Sequence, residues 1–318
     1  MGAGFRMDSG IRAARGQPRR WLITGASGQL GGYLLDEFVR ADSEGERDFI
    51  TAWSGRTTGM RGAVAMVPVD LASERAIDSA FTSADPTIVV HAAAISRIDA
   101  CRDDPERARA VNVLATRRLA DRSADCGCRF LYVSTDLVFD GEKGDYAESD
   151  AARPLSLYGR TKLEGEHASS RAPDSLTLRV SLLYGPGLHR RGDTMFERQY
   201  GMLREGRTCD AFDDEWRTPL DLATAASAIL AAARGGARGL LHLGGPERLS
   251  RFEMACELAR SLGLPESRVA RSSAAGRFSE PRPRDTSLDS RRWRALFPDH
   301  AWPTMRESLR RLSATDRG

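Results

Sequence analysis

The sequence predicts an α/β protein with a doubly wound parallel sheet and a smaller C-terminal domain. Three observations support this fold class. Short apolar runs alternate with helical stretches, the first run leads directly into a glycine-rich turn, and the pattern becomes less regular after about residue 183. Alternation of strands and helices is typical of parallel βαβ units. Interruptions such as Gly185-Pro186-Gly187 indicate a second unit that is interleaved with the last strands of the sheet.

The strands and helices are predicted from apolar runs and from helical periodicity. The predicted strands are residues 21–23, 48–53, 65–69, 87–92, 129–134, 176–182 and 239–243. A first helix follows the glycine turn, because Leu30, Leu34 and Phe38 recur at helical spacing. Further helices are predicted at residues 73–82, 105–124, 157–170 and 219–233.

Composition excludes several classes of protein. The chain has 318 residues and a net charge of +3, but residues 1–20 alone hold five arginines and one aspartate. Because the rest carries no basic stripe, we expect no nucleic-acid partner. No run of roughly 18 apolar residues and no apolar signal region is present, so we expect no membrane partner and a cytoplasmic location. The five cysteines contain no CxxC pair, which predicts reduced thiols and no metal site.

The glycine-rich turn is the first candidate binding site. Glycines let the backbone approach a pyrophosphate, whose charge then lies at the N-terminus of the following helix. The strand–turn–helix order therefore predicts dinucleotide binding. The candidate cofactor-binding residues of the turn are Gly25, Ser27, Gly28, Gln29, Leu30 and Gly31.

The end of the second strand bears on the choice of dinucleotide. NAD-binding proteins usually have an acid there to hold the ribose 2′-hydroxyl, and this chain has none. Ser54 and Arg56 could instead contact a 2′-phosphate, so we expect NADPH, with NADH as the alternative. Asp70 and Leu71, after the next strand, are candidate contacts of the adenine or an ordinary helix start.

Tyr158 and Lys162 form the candidate catalytic pair. Residues i and i+4 share a helix face, so the ammonium of Lys162 is expected to lower the pKa of the Tyr158 phenol. Such a phenol can exchange a proton with a carbonyl oxygen. Only two of the 47 basic residues are lysines, which makes Lys162 informative. Thr135 or Ser134, at a strand end, is expected to hydrogen-bond the reacting carbonyl.

Together these residues resemble the extended short-chain dehydrogenase/reductase family, and within it the dTDP-4-dehydrorhamnose reductases and related sugar-nucleotide reductases. The resemblance rests on the segments 24–31, 91–94, 111–112, 134–141 and 154–166, together with Asp99, Pro105 and Glu106. It implies a Rossmann-type domain that binds NADPH, with Ala92, Ala93 and Ala94 beside the cofactor. It also implies hydride delivery to the C4 ketone of a 4-keto-6-deoxy nucleotide-sugar while Tyr158 donates a proton. The sequence pattern and the resemblance together predict a flexible basic extension at 1–19, an NADP-binding domain at 20–182 completed by 219–243, and a substrate-binding domain at 183–218 and 244–318.

Substrate binding is less well specified by the residues. Rhamnose-pathway reductases typically show Val-Asp-Lys-Ala-Glu where this chain has residues 98–102, so the particular sugar is open. A guanidinium fork suits phosphate geometry. The candidate substrate-binding residues are Asp99, Arg179, Arg217, Arg282 and Arg284.

Two other functions are compatible with the same residues. Epimerases of the family use the same tyrosine and lysine, and the missing second-strand acid is the local observation against them. A non-catalytic NADP-binding subunit, resembling the regulatory β subunit of methionine adenosyltransferase, is the alternative of a different class. The resemblance also allows a homodimer, but we find no carboxylate pair that would specify a metal.

Overall fold

The computed structural model describes residues 18–42, 48–187 and 194–315. The predicted basic extension therefore lies outside the described residues, apart from its last two. The strands are β1 (Arg20–Thr24), β2 (Phe49–Ser54), β3 (Gly59–Arg61), β4 (Val64–Pro68), β5 (Ile88–His91), β6 (Arg129–Thr135), β7 (Ser175–Val180), β8 (Leu183–Tyr184), β9 (Cys209–Phe212), β10 (Trp216–Arg217), β11 (Leu220–Asp221), β12 (Gly239–Leu243), β13 (Leu249–Ser250) and β14 (Val269–Ser272).

The α-helices are α1 (Gln29–Asp42), α2 (Glu74–Ala84), α3 (Ile98–Asp103), α4 (Pro105–Arg109), α5 (Ala115–Cys126), α6 (Leu157–Ser169), α7 (Met195–Arg204), α8 (Leu222–Arg234), α9 (Arg251–Ser261), α10 (Arg291–Leu296) and α11 (Met305–Thr315). A π-helical turn, Ala110–Leu114, joins α4 to α5. Short 3₁₀ turns cover Asp136–Val138 and Glu266–Arg268. Within the described part of the chain, no helix is long and apolar enough to cross a bilayer.

The central sheet has eight strands in the order β12-β7-β6-β5-β1-β2-β4-β3. All neighbours are parallel except β3, which pairs antiparallel with β4 at one edge. Alternate residues of a strand face opposite sides of a sheet. Trp21 and Ile23 accordingly pack with α1 and α8, whereas Leu22 packs with α2 and α5 on the other side. The sheet covered by helices on both faces confirms the predicted fold class.

The C-terminal segments form a second core around α7, α9 and α11. Its buried residues include Tyr184, Leu203, Phe252 and Leu258. Three two-stranded sheets, β10–β13, β8–β11 and β9–β14, connect these helices. The division into an NADP-binding and a substrate-binding domain stays a prediction, to which the structure adds that β12 pairs with β7 in the main sheet.

Three local features differ from the sequence prediction. Strand β3 was not predicted, because three residues are too few to show a period. The single helix predicted at 105–124 is broken by the π-helical turn. Cys126 and Cys128 are paired as a disulfide with Cα atoms 5.5 Å apart, which contradicts the prediction of reduced thiols for these two. Gly127, with φ 69°, turns the chain so that the two side chains meet.

Candidate active site

A cleft of about 640 Å³ lies at the carboxyl ends of the parallel strands. This is the edge of an open α/β sheet at which ligands bind. The glycine turn forms one wall, and the ends of β2, β5 and β6 form the floor. Among the predicted site residues, the cleft is lined by Gly25, Ser27, Gly28, Gln29, Leu30, Gly31, Ser54, Leu71, Ala92, Ala93, Ala94, Ser134, Thr135, Tyr158, Lys162, Arg217 and Arg282.

The glycine turn has the shape that a pyrophosphate requires. Gly25 has a φ of 78°, and a Cβ there would lie 2.8 Å from the amide nitrogen of Ala93. The turn can therefore approach the end of β5 only with glycine at this position. Helix α1 begins at Gln29 and has no acidic residue in its first turn, so its N-terminus is free to receive a phosphate. These residues fit the predicted dinucleotide.

The residues predicted to contact the 2′-phosphate and the adenine differ in whether they line the cleft. Ser54 is buried in the cleft wall and donates a hydrogen bond to the carbonyl of Thr57. Arg56 and Asp70 are exposed and do not line the cleft. Arg107, which the sequence did not single out, lines the cleft instead and lies 4.0 Å from an Asp70 carboxylate oxygen.

Helix α6 holds the tyrosine and the lysine on one face, as expected. Ser156 caps the helix by accepting a hydrogen bond from the Gly159 amide. Lys162 is 2% exposed, and its Nζ donates a 2.7 Å hydrogen bond to the Val133 carbonyl. Burial lowers the pKa of Lys162 to about 7. The ammonium also lies 4.0 Å from the centre of the Tyr132 ring.

The electrostatics of Tyr158 differ from the sequence prediction. Burial raises the pKa of its phenol above the usual value, while a hydrogen bond with the Thr135 side chain lowers it in part. The sequence predicts that Lys162 lowers the pKa of the phenol, but its ammonium is hydrogen-bonded to the backbone of β6 and is not among the causes of the shift. A phenol is already protonated at neutral pH, so Tyr158 holds a proton that it can donate, and burial stabilises that neutral form.

The two hydroxyls at the end of β6 are used differently. Ser134 donates a 2.5 Å hydrogen bond to Oε1 of Glu166. The Thr135 hydroxyl accepts a hydrogen bond from the Leu137 amide, donates one to Asp136 and reaches Tyr158. Of the two alternatives, Thr135 is thus the hydroxyl beside the phenol.

Asn112, in the π-helical turn, connects this helix to the loop after β5. Its side-chain amide bonds the Ile95 backbone at 2.8 and 3.1 Å and donates to the Thr161 hydroxyl at 3.0 Å. The side chain is 1% exposed. It holds the Ala92–Ile95 loop and α6 in a defined relation, which sets where Tyr158 lies relative to the glycine turn.

The predicted substrate-binding residues are only partly brought together. Arg217 and Arg282 line the cleft, whereas the half-buried Asp99 and the exposed Arg284 lie outside it. Arg179 is also outside, because its guanidinium forms a buried ion pair with Glu166. That pair borders a separate cavity on another part of the surface. The placement of Arg179 therefore argues against a direct substrate contact.

Besides Arg107, two charged residues of the cleft were not predicted from the sequence. Asp136 is 4% exposed, and its Oδ2 accepts hydrogen bonds from Thr286 at 2.9 Å and from Ser181 at 3.2 Å. Burial raises its pKa. Arg251, the first residue of α9, lines the cleft from the side of the second core. It is one of 45 arginines, and no sequence pattern distinguishes it.

No group of three His, Cys, Asp or Glu side chains is placed to hold a metal in the described ranges.

The fold and the cleft define an extended short-chain dehydrogenase/reductase, a class of NAD(P)-dependent oxidoreductases. The chain matches the family described as the RmlD substrate binding domain over residues 19–317, and it belongs to that family. The predicted resemblance is thereby confirmed.

Known relatives come from two functional groups. The chain is 32% identical over 298 residues to dTDP-4-dehydrorhamnose reductase of Mycobacterium tuberculosis (strain CDC 1551 / Oshkosh), covering 90% of this chain and 91% of that protein. It is 32% identical over 285 residues to methionine adenosyltransferase 2 subunit beta of Bos taurus, covering 87% and 82%. A solved structure, a hypothetical dTDP-4-dehydrorhamnose reductase from Sulfolobus tokodaii, is similar with a TM-score of 0.77 at 32% identity, covering 90% of this chain and 98% of that one.

Proposed function

We propose that this protein is an NADPH-dependent reductase of a 4-keto-6-deoxy nucleotide-sugar and converts the C4 ketone to a hydroxyl group. One observation carries the proposal. Thr135, Tyr158 and Lys162 line the same cleft as the glycine turn, so a proton donor faces the cavity that fits a dinucleotide. The similarity to a dTDP-4-dehydrorhamnose reductase over nine-tenths of the chain supports the choice of substrate class.

The cofactor is proposed to lie along the glycine turn, with its pyrophosphate at the N-terminus of α1. NADPH supplies the hydride when it is bound. Ser54 lines the part of the cleft where the 2′-phosphate is expected, and Arg56 is exposed just beyond it. Lys162 would hold the nicotinamide ribose, with Ala92, Ala93 and Ala94 beside the cofactor and Leu71 at its adenine. NADH is the alternative cofactor.

The chain's own residues supply the proton. Tyr158, like any phenol of ordinary pKa, is protonated at neutral pH, and its Oη donates to the ketone oxygen as the C4–H bond forms. Thr135 orients the same oxygen through its hydroxyl. Lys162, with a pKa lowered to about 7, can carry a proton at Nζ near neutral pH and stabilise the tyrosinate that forms. The ketone gains one hydride and one proton, which balances the reduction.

The test is a panel of 4-keto-6-deoxy nucleotide-sugars incubated with the purified full chain and NADPH. We expect loss of reduced-nicotinamide absorbance with at least one member of the panel. The matching control is the Tyr158→Phe variant, which should bind NADPH and turn over little. No oxidation of NADPH with any member would contradict the proposal.

A second candidate function is favoured by one comparison. The likeness to methionine adenosyltransferase 2 subunit beta covers 87% of this chain, so a non-catalytic NADP-binding subunit is the alternative. This alternative expects no turnover in the panel together with tight binding to a purified methionine adenosyltransferase catalytic subunit. Turnover without such binding would exclude it.

A further inference from the structure

The arginines around the cleft differ in whether their N–H groups are available. Arg217 lies in the cleft wall, but its Nη1 donates to the carbonyls of Trp216 and Arg284 at 2.6 and 3.2 Å. Its Nη2 donates to the Pro283 carbonyl at 3.2 Å, and its Nε lies 3.6 Å from Asp136. Most donors of Arg217 are therefore used to hold the chain around Pro283 against β10. Little remains for a ligand.

Arg251, in contrast to Arg217, has N–H groups that no acceptor in the described part of the chain uses. The residue is 8% exposed, yet its guanidinium donates no hydrogen bond to any of the described residues. Its Nε and Nη1 are shielded from solvent and lack a hydrogen-bond partner. Buried donors without a hydrogen-bond partner are rare, so these two N–H groups need an explanation.

Glu215 is the carboxylate that lies near both buried guanidinium groups, and Asp136 is a second one beside Arg217. Oε2 of Glu215 lies 3.5 Å from Nε of Arg251 and 3.9 Å from Nη2 of Arg217. Glu215 is itself 2% exposed. Burial and the neighbouring Arg217 lower the pKa of Arg251 to about 10, whereas Glu215 and Asp136 raise it in part. An anion beside Arg251 would supply the hydrogen-bond acceptors that its Nε and Nη1 lack.

The position of Arg251 indicates what kind of anion. The residue lines both the main cleft and a side pocket of about 160 Å³. That volume is well below the roughly 300–1,000 Å³ of a whole ligand site, so the side pocket can receive only part of a ligand. It is lined chiefly by apolar side chains, among them Phe196, Met254, Leu258 and Met305. A ligand that suits both spaces has an anionic centre and a flat, weakly polar end.

We propose that Arg251 binds the diphosphate of the nucleotide-sugar and that the side pocket receives the nucleobase. This assignment rests on the proposed function, and it gives Arg251 a role for which the sequence had suggested Arg179, Arg217, Arg282 and Arg284. Phe196, whose ring centre lies 6.0 Å from that of Tyr184, provides an aromatic wall for the base. The sugar then extends from Arg251 along the main cleft towards Tyr158.

The test compares dTDP with thymidine, measured by calorimetry on the full chain saturated with NADP⁺. We expect Arg251→Gln to weaken dTDP binding by about 10- to 100-fold, because a hydrogen-bonded charge is lost. Thymidine affinity should change less than twofold. Arg251→Lys should recover part of the dTDP affinity, since it keeps the charge. Phe196→Ala should weaken both ligands.

The matched control is Arg260→Gln, on the same helix, where the guanidinium is exposed and ion-paired with Glu257 and Glu266. It should leave dTDP binding unchanged. An Arg251→Gln affinity for dTDP within twofold of wild type would overturn the proposal, and so would equal losses for dTDP and thymidine. Wild-type protein that binds neither dTDP nor UDP would also overturn it. Binding that depends on Arg251 without turnover of any sugar would instead refute the proposed function alone.

Discussion

Glu166 accepts two hydrogen bonds from the guanidinium of Arg179, at 2.9 and 2.7 Å, under the strand end that carries Ser134. Both side chains are at least nine-tenths buried. Ser134 donates to the same carboxylate, and Arg179 also lies 4.9 Å from the centre of the Phe139 ring. The pair therefore fixes the carboxyl end of β6 on the side away from the cleft.

Arg179→Gln should destabilise the fold without weakening substrate binding directly. Removing one partner of a buried ion pair leaves an uncompensated charge and costs about 3–5 kcal/mol. We expect a loss of that size in the free energy of urea unfolding. Arg282→Gln, at a half-buried position lining the cleft, should raise KM with a small effect on stability. An Arg179→Gln variant of wild-type stability with a raised KM would restore Arg179 as a substrate ligand.

Tyr158→Phe should reduce turnover by about 10²- to 10⁴-fold, the range for loss of a general acid. NADPH affinity, measured by fluorescence titration, should stay within twofold because the ring is retained. Tyr33→Phe is the control, since Tyr33 lies outside the cleft lining and donates to the Pro186 carbonyl at 2.9 Å. Unchanged turnover in Tyr158→Phe would rule out this phenol as the proton donor.

The two lysines of the chain provide a matched pair. Lys162→Met should weaken NADPH binding by about 10-fold or more, because a charged donor in the cleft is lost. Lys143→Met should leave it unchanged, since Lys143 is exposed and ion-paired with Asp150. The dissociation constants of NADPH for both variants give the comparison. If Lys162→Met changed the NADPH dissociation constant no more than Lys143→Met does, Lys162 would not contact the cofactor.

His91 should make the fold sensitive to acid. Burial lowers its pKa to about 3, and its ring bonds Thr24 at 2.7 Å and Thr116 at 3.0 Å. The unfolded chain binds a proton below about pH 6.5 that the folded chain binds only near pH 3. Stability from this residue is thus present above pH 6.5 and falls by about 1.4 kcal/mol per pH unit as the pH drops towards 3.

Urea unfolding between pH 7.5 and pH 5 measures this slope. His91→Gln should reduce the slope, because glutamine does not titrate in this range. His167→Gln, at an exposed position of α6, is the control. An identical slope in wild type and His91→Gln would show that other groups cause the acid sensitivity.

Much of the cleft could be predicted from the sequence because its chemistry is local. The glycine turn is a contiguous segment between a strand and a helix, and Tyr158 and Lys162 are one helical turn apart. Local sequence also distinguishes strand from helix for the long elements. It fails at β3, a three-residue strand that pairs with β4, and at the π-helical turn, where Asn112 bonds residues that are distant along the chain.

The arginines show where sequence information ends. In the sequence Arg179, Arg217 and Arg251 are three of 45, and nothing local separates a ligand from an ion-pair partner. Arg56 illustrates the same limit, because its place after β2 did not reveal that its side chain lies outside the cleft lining. The ion-pair partner of a buried arginine can be distant along the chain, as Asp136 is from Arg217. Which residues become partners therefore depends on strand order and on how the segments pack.

By itself, therefore, the sequence determined the α/β fold class, the dinucleotide turn and the tyrosine–lysine pair, because each depends on neighbours within a few residues. Only the tertiary structure decided that Thr135 rather than Ser134 faces the phenol and that Arg179 is an internal ion pair. The tertiary structure also shows that Nε and Nη1 of Arg251 have no hydrogen-bond partner among the described residues. The physical reason is that hydrogen-bond satisfaction in a buried site depends on every chain segment that packs around it.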